Sequence, residues 1–303
     1  MANLQPVRPL RPGDGVSCVA ASSSLSSDGR LSQGIQLLES WGLTVHPQAL
    51  SERYWGYLAG SDQERRADLE PDSDTALLAC ARGGWGAARL LENKIAWQPG
   101  WLLGFSDVTA LLWARLAAGF AGGVHGPLLT TLAAEPEWSQ ERLRKLLFGE
   151  SIPDLHGRGI GGAKASGPLI VANLTVATHL LGTTHIPSLR NAILVFEDVG
   201  EAPYRIDRML TQWRLSGALN EIAGLGFGNF EGCDDEPSDG EDHLESIRRF
   251  SLNQVLDERT ADLGIPRVFD LPVGHRCGNA ALPLGAIAQL DGEAGRLSLS
   301  SLS

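Results

Sequence analysis

Cysteine, basic charge and long apolar runs are scarce in this 303-residue sequence, and each scarcity excludes a class of protein. The four cysteines, Cys18, Cys80, Cys233 and Cys277, form no CxxC pair and meet no histidine at zinc-finger spacing. A disulfide framework or a structural zinc is therefore not expected, and ordinary thiols in a reducing compartment fit better. No 18 consecutive residues are apolar, so no membrane-spanning helix is expected. The opening "MANLQPVRPLRPGDG" has no apolar core of a secretory signal, which makes the cytoplasm the expected compartment. Acidic residues outnumber basic ones, 36 to 25, which leaves no basic footprint for nucleic acid or an anionic membrane. Much of that excess lies in "EGCDDEPSDGEDHLE", residues 231–245. It lacks the D-x-D-x-D-G ligand order of a calcium loop, and a solvated surface loop is the better account.

What the sequence does have is alternation. "GVSCVAAS", "LTVHP", "TALLACA" and "WLLGF" read as short strands, separated by helical stretches such as "GRLSQGIQLLESWG", "DQERRADLE" and "GAARLLENK". This order predicts a parallel α/β unit over 1–146. The Gly-, Pro- and Ser-rich stretch 147–165 reads as a linker. Residues 166–303 read as a strand-richer, mixed α/β unit, with strands in "GPLIVANL", "NAILVFEDV", "IAGLGFGNF", "IPRVFDLPVG" and "AIAQLDG". Helices are expected in "YRIDRMLTQWRLSGAL" and "EDHLESIRRFSLNQVLDERTADLG".

Four places offer chemistry. In "GFSDVTALLWARL", Ser106 stands where a strand gives way to a helix. A tight corner there exposes a hydroxyl beside the helix N-terminus. The same residue also suits a plain N-cap, with Asp107 as a first-turn carboxylate, and Val108 departs from the G-x-S-x-G elbow. In "ARGGWGAARLL", Gly83, Gly84 and Gly86 allow a tight turn that brings N–H groups near a ligand, but the spacing is not that of a dinucleotide loop. Glu197 and Asp198 end an apolar strand, where a partly desolvated carboxylate needs a partner. Arg205, Arg208 or a histidine would serve. His275 lies in a Gly- and Pro-bounded loop, and His125, also after a strand, is its strongest rival among the other six histidines. Together the sites supply a nucleophile, a carboxylate and a base in the order Ser, Glu, His, as acyl transfer requires.

These segments resemble the LD-carboxypeptidases, or muramoyltetrapeptide carboxypeptidases, of the S66 serine peptidases. The likeness runs through "YLAGSDQERRADL", "RGGWGAARLL", "GFSDVTAL", "HGP", "ANL", "FEDVGEAPYRIDRMLTQW", "GIP" and "LPVGHRCGNAALPLGA". It implies an N-terminal Rossmann-like domain bearing Ser106, a C-terminal β-rich domain bearing Glu197 and His275, and an active site at their interface. It further implies an oxyanion hole from Gly84 and the N–H of Asp107, with Arg82 and Trp85 facing the substrate. The implied reaction removes the C-terminal D-alanine of a murein tetrapeptide during cell-wall recycling, in a homodimer, without metal or organic cofactor. Where the family usually shows Tyr this chain has Trp85 and Phe105, and where it shows GGNL this chain has Val171 and Ala172. These departures bear on substrate preference and leave the reacting groups intact.

Three rivals are weighed. S66 amidases that give immunity to peptidyl-nucleotide antibiotics share the chemistry but tend to be longer, with added aromatic loops that this chain lacks. A Rossmann oxidoreductase needs a dinucleotide fingerprint, and "GLGFGNFEG" does not provide one. A non-hydrolytic binding protein is opposed by the intact Ser106, Glu197 and His275.

Overall fold

The apolar runs of the first half build one twisted sheet. A computed structural model describes residues 4–46, 48–70, 74–234 and 249–300. Strands β1 (Gly15–Val19), β2 (Thr44–Val45), β3 (Thr75–Cys80), β4 (Trp101–Gly104) and β5 (Gly123–His125) pair in parallel in the order β5-β4-β3-β1-β2. Between them run α1 (Arg30–Ser40), α2 (Asp62–Ala67) and α3 (Thr109–Ala117). Helix α2 opens with a full capping box between Ser61 and Glu64, which satisfies donors that a helix start leaves free. Two further helices, α4 (Leu129–Leu132) and α5 (Glu137–Leu147), follow β5. The stretch "GAARLLENK" departs from the expected α-helix: Ala87–Glu92 is a 3-10 helix. It enters from Gly86 in a left-handed conformation, and the Ala87 N–H is taken by the Asp107 carboxylate at 2.8 Å.

The second sheet has eight strands. Its centre is the parallel set β8 (Lys164–Asn173), β9 (Ile193–Val199), β10 (Gly224–Glu231) and β11 (Arg267–Phe269). Antiparallel strands flank it: β7 (Arg158–Ile160) beyond β11, and β13 (Ile287–Asp291), β14 (Arg296–Leu299) and β6 (Leu155–His156) beyond β8. Strands β6 and β7 thus fall inside 147–165, the stretch whose composition suggests only a linker. Helices α6 (Leu174–Leu180) and α7 (Pro203–Leu215) follow β8 and β9. One late strand, β12 (Leu282–Pro283), leaves this half altogether and pairs antiparallel with β5 of the first sheet. Residues 235–245 of the acidic run, and 241–248 of one expected helix, lie outside the described residues; the remainder of that helical stretch holds the helix Leu252–Glu258. All four cysteines are free.

Helix α3 explains how the halves are held. Its sequence "TALLWARLA" is apolar almost all round, and every residue from 109 to 116 is buried. A helix without a polar face must be covered on all sides. It packs against the C-terminal half, where Trp113 meets Trp213 edge-on and Trp213 meets Phe196. A single apolar cluster consequently runs from Leu102 and Leu112 into Val195 and Phe227. Two hydrogen bonds fix the register: Trp113 Nε1–H donates to the Val171 carbonyl at 2.9 Å, and the Asn173 N–H donates to Thr109 Oγ1 at 3.1 Å.

Candidate active site

Ser106 follows β4 after one residue, Phe105, and takes φ +62°, in the left-handed region that side-chain-bearing residues avoid. Such strain costs on the order of 1–3 kcal/mol and persists only where neighbours enforce it. Gly104 is one enforcer: a Cβ there would lie 2.7 Å from Val108 Cγ1 and 3.1 Å from Cys80 Cβ. The plain N-cap is not what forms. No side chain caps the 3-10 turn Ser106–Val108, and the Ser106 hydroxyl points instead to His275. Asp107 is buried, and its carboxylate accepts from Ser22 Oγ at 2.6 Å and from the Ala87 N–H at 2.8 Å. Burial pushes this carboxyl up, against the lowering effect of those two bonds. Its side chain therefore ties the serine corner to the glycine loop, a role that the local sequence did not reveal.

Glu197 stands near the end of β9, opposite Asn173 of β8, and is fully buried. Among the described residues no arginine pairs with it. Arg205 pairs with Glu201 at 3.3 Å, and Arg208 lies over the Tyr204 ring. The carboxylate instead accepts from His275 Nδ1–H at 2.7 Å, while His275 Nε2 accepts from Ser106 Oγ–H at 3.1 Å. This tautomer follows because an ionised carboxylate can only accept. Burial alone would push the Glu197 carboxyl up; the adjoining imidazoles of His125 and His275 reverse that and hold it at about 2. Burial works against charging His275, but the bond and charge of Glu197 prevail, and its pKa lies above the ordinary histidine value. Asp198, next in the strand, turns the other way to Asn173 Nδ2, the Thr175 N–H and Thr175 Oγ1.

The His275 loop is held by partners remote in sequence. Gly228 of β10 lets the chain pass close, since a Cβ there would lie 2.3 Å from the Val273 carbonyl oxygen. That oxygen accepts from the Asn229 N–H at 2.7 Å. The last glycine of "GLGFG", Gly228, thus serves close strand–loop packing. Gly274 has φ +123°, and a Cβ there would stand 2.9 Å from Glu197 Oε2. Beyond the histidine, Glu135 accepts from the Gly278 and Asn279 N–H groups at 2.6 and 3.1 Å, and Ser139 Oγ–H donates to the Asn279 carbonyl at 2.7 Å. Asn279 Oδ1 accepts from the Gly274 N–H at 3.0 Å and closes the loop on itself. Glu135, Ser139 and Asn279 were not foreseen, because nothing in their local sequence marks them.

The other expected residues gather nearby. A Cβ on Gly83 would lie 3.1 Å from Ser106 Oγ and 3.6 Å from the Asp107 nitrogen, so this glycine keeps the space beside both clear. Gly84 has φ +108° and is exposed, as is Trp85, whose N–H donates to Ser23 Oγ at 3.1 Å. Arg82 is half-buried and donates to the Ser24 carbonyl at 2.7 Å. His125, the rival histidine, does not touch Ser106 through a hydrogen bond; its Nε2 lies 3.7 Å from Glu197 Oε1.

Comparison with known proteins places this arrangement. Residues 16–126 match the LD-carboxypeptidase N-terminal domain, and residues 166–290 match the LD-carboxypeptidase C-terminal domain. A putative carboxypeptidase of Synechocystis sp. is 47% identical, over 97% of this chain and 97% of its own. The chain belongs to the LD-carboxypeptidase family. The murein tetrapeptide carboxypeptidase of Pseudomonas aeruginosa is 33% identical to this family member, over 93% of this chain and 95% of that one. The crystal structure of muramoyltetrapeptide carboxypeptidase from Oxalobacter formigenes superposes with a TM-score of 0.81 at 25% identity, covering 94% of this chain and 97% of that one. This carboxypeptidase-family chain is a hydrolase by that membership. Among the described residues no helix is long and apolar enough to cross a membrane.

Proposed function

We propose that the protein is a serine LD-carboxypeptidase that releases the C-terminal D-alanine of murein tetrapeptides. The observation that carries this reading is the continuous chain of contacts from Ser106 Oγ through His275 to Glu197, 3.1 and 2.7 Å, beginning at a serine held in a strained corner. In the proposed reaction Ser106 Oγ attacks the carbonyl before the terminal D-residue, and His275 Nε2 takes its proton. Glu197 holds the imidazole in the required tautomer and stabilises the imidazolium. The N–H groups of Gly84 and Asp107 receive the developing oxyanion; the cleared space beside Gly83 supports this assignment. His275 then protonates the leaving D-alanine, and water releases the acyl-enzyme with the same histidine as base.

Side chains and backbone supply every step, so the proposal calls for no metal or organic cofactor. Arg82 is proposed to read the free carboxylate of the peptide, with guanidinium donors left beyond its bond to Ser24. Exposed Trp85 is proposed to line the peptide path. The matched segments support two domains, 1–146 and 166–303, joined through 147–165. A cytoplasmic homodimer completes the reading.

The test compares wild type with Ser106→Ala on a murein tetrapeptide ending in D-alanine, measuring released D-alanine. Loss of the nucleophile should lower kcat by about 10⁴-fold or more, with the fold retained. Activity within tenfold of wild type would remove Ser106 from the reaction. Faster turnover of an aminoacyl-sulfamoyl adenylate than of the tetrapeptide would replace the substrate and keep the chemistry.

A further inference from the structure

At the back of the site two buried polar groups face each other without partners. Among the described residues Glu197 Oε1 accepts no hydrogen bond, and neither ring nitrogen of His125 makes one. Both side chains are fully buried, and His125 Nε2 lies 3.7 Å from Oε1. Buried polar atoms are nearly always satisfied, so a facing pair left just beyond bonding distance requires an explanation. Packing holds both in place. His125 ends β5, in register with Gly104 on one side and Leu282 of β12 on the other. The Phe105 ring meets His125 edge-on at 5.7 Å and His275 at 4.8 Å, so one aromatic ring contacts both imidazoles.

We infer that His125 is a positioning residue for Glu197, directing its Nε2–H at Oε1 while His275 occupies Oε2. Nε2 is the ring nitrogen that faces the carboxylate, at 3.7 Å, and an ionised carboxylate can only accept, which places the ring proton on Nε2. A carboxylate held at one oxygen alone turns easily about its terminal torsion, whose wells are broad. A donor at the second oxygen limits that rotation and so aims the first at His275 Nδ1. The same N–H stabilises negative charge on Glu197 and restrains how strongly that charge favours the imidazolium of His275. The other charges that act on His275, Asp198 and Glu231, come from β9 and β10 and do not involve position 125. Asp198 is itself satisfied by Asn173 and Thr175.

The inference rests on the proposed roles of Ser106, Glu197 and His275, and its test separates the two. His125→Leu removes the donor at similar volume, His125→Asn keeps a polar group too short to reach Oε1, and His125→Gln restores an N–H near the original position. Released D-alanine is measured from a murein tetrapeptide across pH, beside wild type and Ser106→Ala. The Leu and Asn variants should lose about tenfold in kcat with KM within about twofold. Their acidic limb in kcat/KM should rise by about half a pH unit, because an unsupported Glu197 favours the imidazolium more. The Gln variant should stay within about threefold of wild type with its limb unmoved. Should the Leu variant not fold, the contrast between Gln and Asn decides. Equal losses in Gln and Asn, or limbs that coincide with wild type in all variants, overturn the role of His125 while an inactive Ser106→Ala leaves the proposed function standing. An active Ser106→Ala overturns the proposed function itself.

Discussion

The serine corner between Gly104 and Val108 is held, apart from Ser22, by the first sheet's own neighbouring loops, 80–108, whereas the loop from Val273 to Asn279 borrows its contacts from β9, β10 and the approach to α5. The first needs a glycine where Val108 and Cys80 crowd in, and a serine that tolerates φ +62°. The second needs Gly228 and Asn229 of β10, Glu197 of β9, and Glu135 and Ser139 before and within α5. The nucleophile side is therefore a strained corner held within one sheet, and the base side is assembled from several segments. A site divided in this way is expected to fail in two modes: loss of chemistry at the reacting atoms, and loss of alignment in the loop that aims the base.

The largest effect that sharpens this contrast is expected from Glu197→Gln. A neutral amide cannot hold His275 in the donating tautomer, and kcat should fall by about 10⁴-fold, as when a triad carboxylate is replaced. The wild-type sign is fixed by the raised pKa of His275. The base must be neutral, so kcat/KM should decline as pH falls through a midpoint above 6.5. Removing the charge of Glu197 removes what raises it, so the residual activity should show a lower midpoint. A wild-type midpoint well below 6.5 would contradict this electrostatic account.

Gly274→Ala should come next. Its Cβ would press on Glu197 at 2.9 Å and at an unfavourable φ, displacing His275 without touching the serine. Misalignment on this scale typically costs about 10²-fold in kcat. Acylation of Ser106 by a fluorophosphonate should slow in parallel, which steady-state and labelling kinetics would show. If both are unchanged, the loop tolerates movement and the distinction between a rigid corner and an assembled base loses its force.

Glu135→Gln should have the smallest effect. The amide keeps an acceptor for one of the two N–H groups of Gly278 and Asn279 but turns its own donors toward the site of the other. A fall of about two- to fivefold in kcat, with KM unchanged, is expected from a loosened loop. A larger loss than in Gly274→Ala would mean that docking on α5, and not the approach to Glu197, controls the base.

Much of this was legible in the residues. The strands of the parallel sheet and the carboxylates at the end of "ILVFED" followed from apolar runs, because buried parallel strands show them continuously. The corner at Ser106 was legible as a corner, but its local residues favoured a cap and only the family resemblance pointed to a nucleophile; in the structure its hydroxyl bonds His275. Local sequence likewise left His275 and His125 open, since both follow strands, and only the resemblance singled out His275. Of the partners that the local sequence offered Glu197, Arg205, Arg208 or a histidine, the one that meets it is a histidine 78 residues away. Strands β6 and β7 were hidden because short edge strands carry too few residues for a period-2 signal.

The sequence by itself determined most of the local elements, a sharp corner at Ser106 and the presence of each reacting group, since strand runs, glycine positions and side-chain chemistry are properties of adjacent residues. Only the tertiary structure decided which histidine meets the serine, which oxygen of Glu197 it uses and what stands behind the other. Those choices depend on how β4, β5, β9 and the 273–279 loop converge around the buried helix α3, and distance in space between remote residues is not written in their order along the chain.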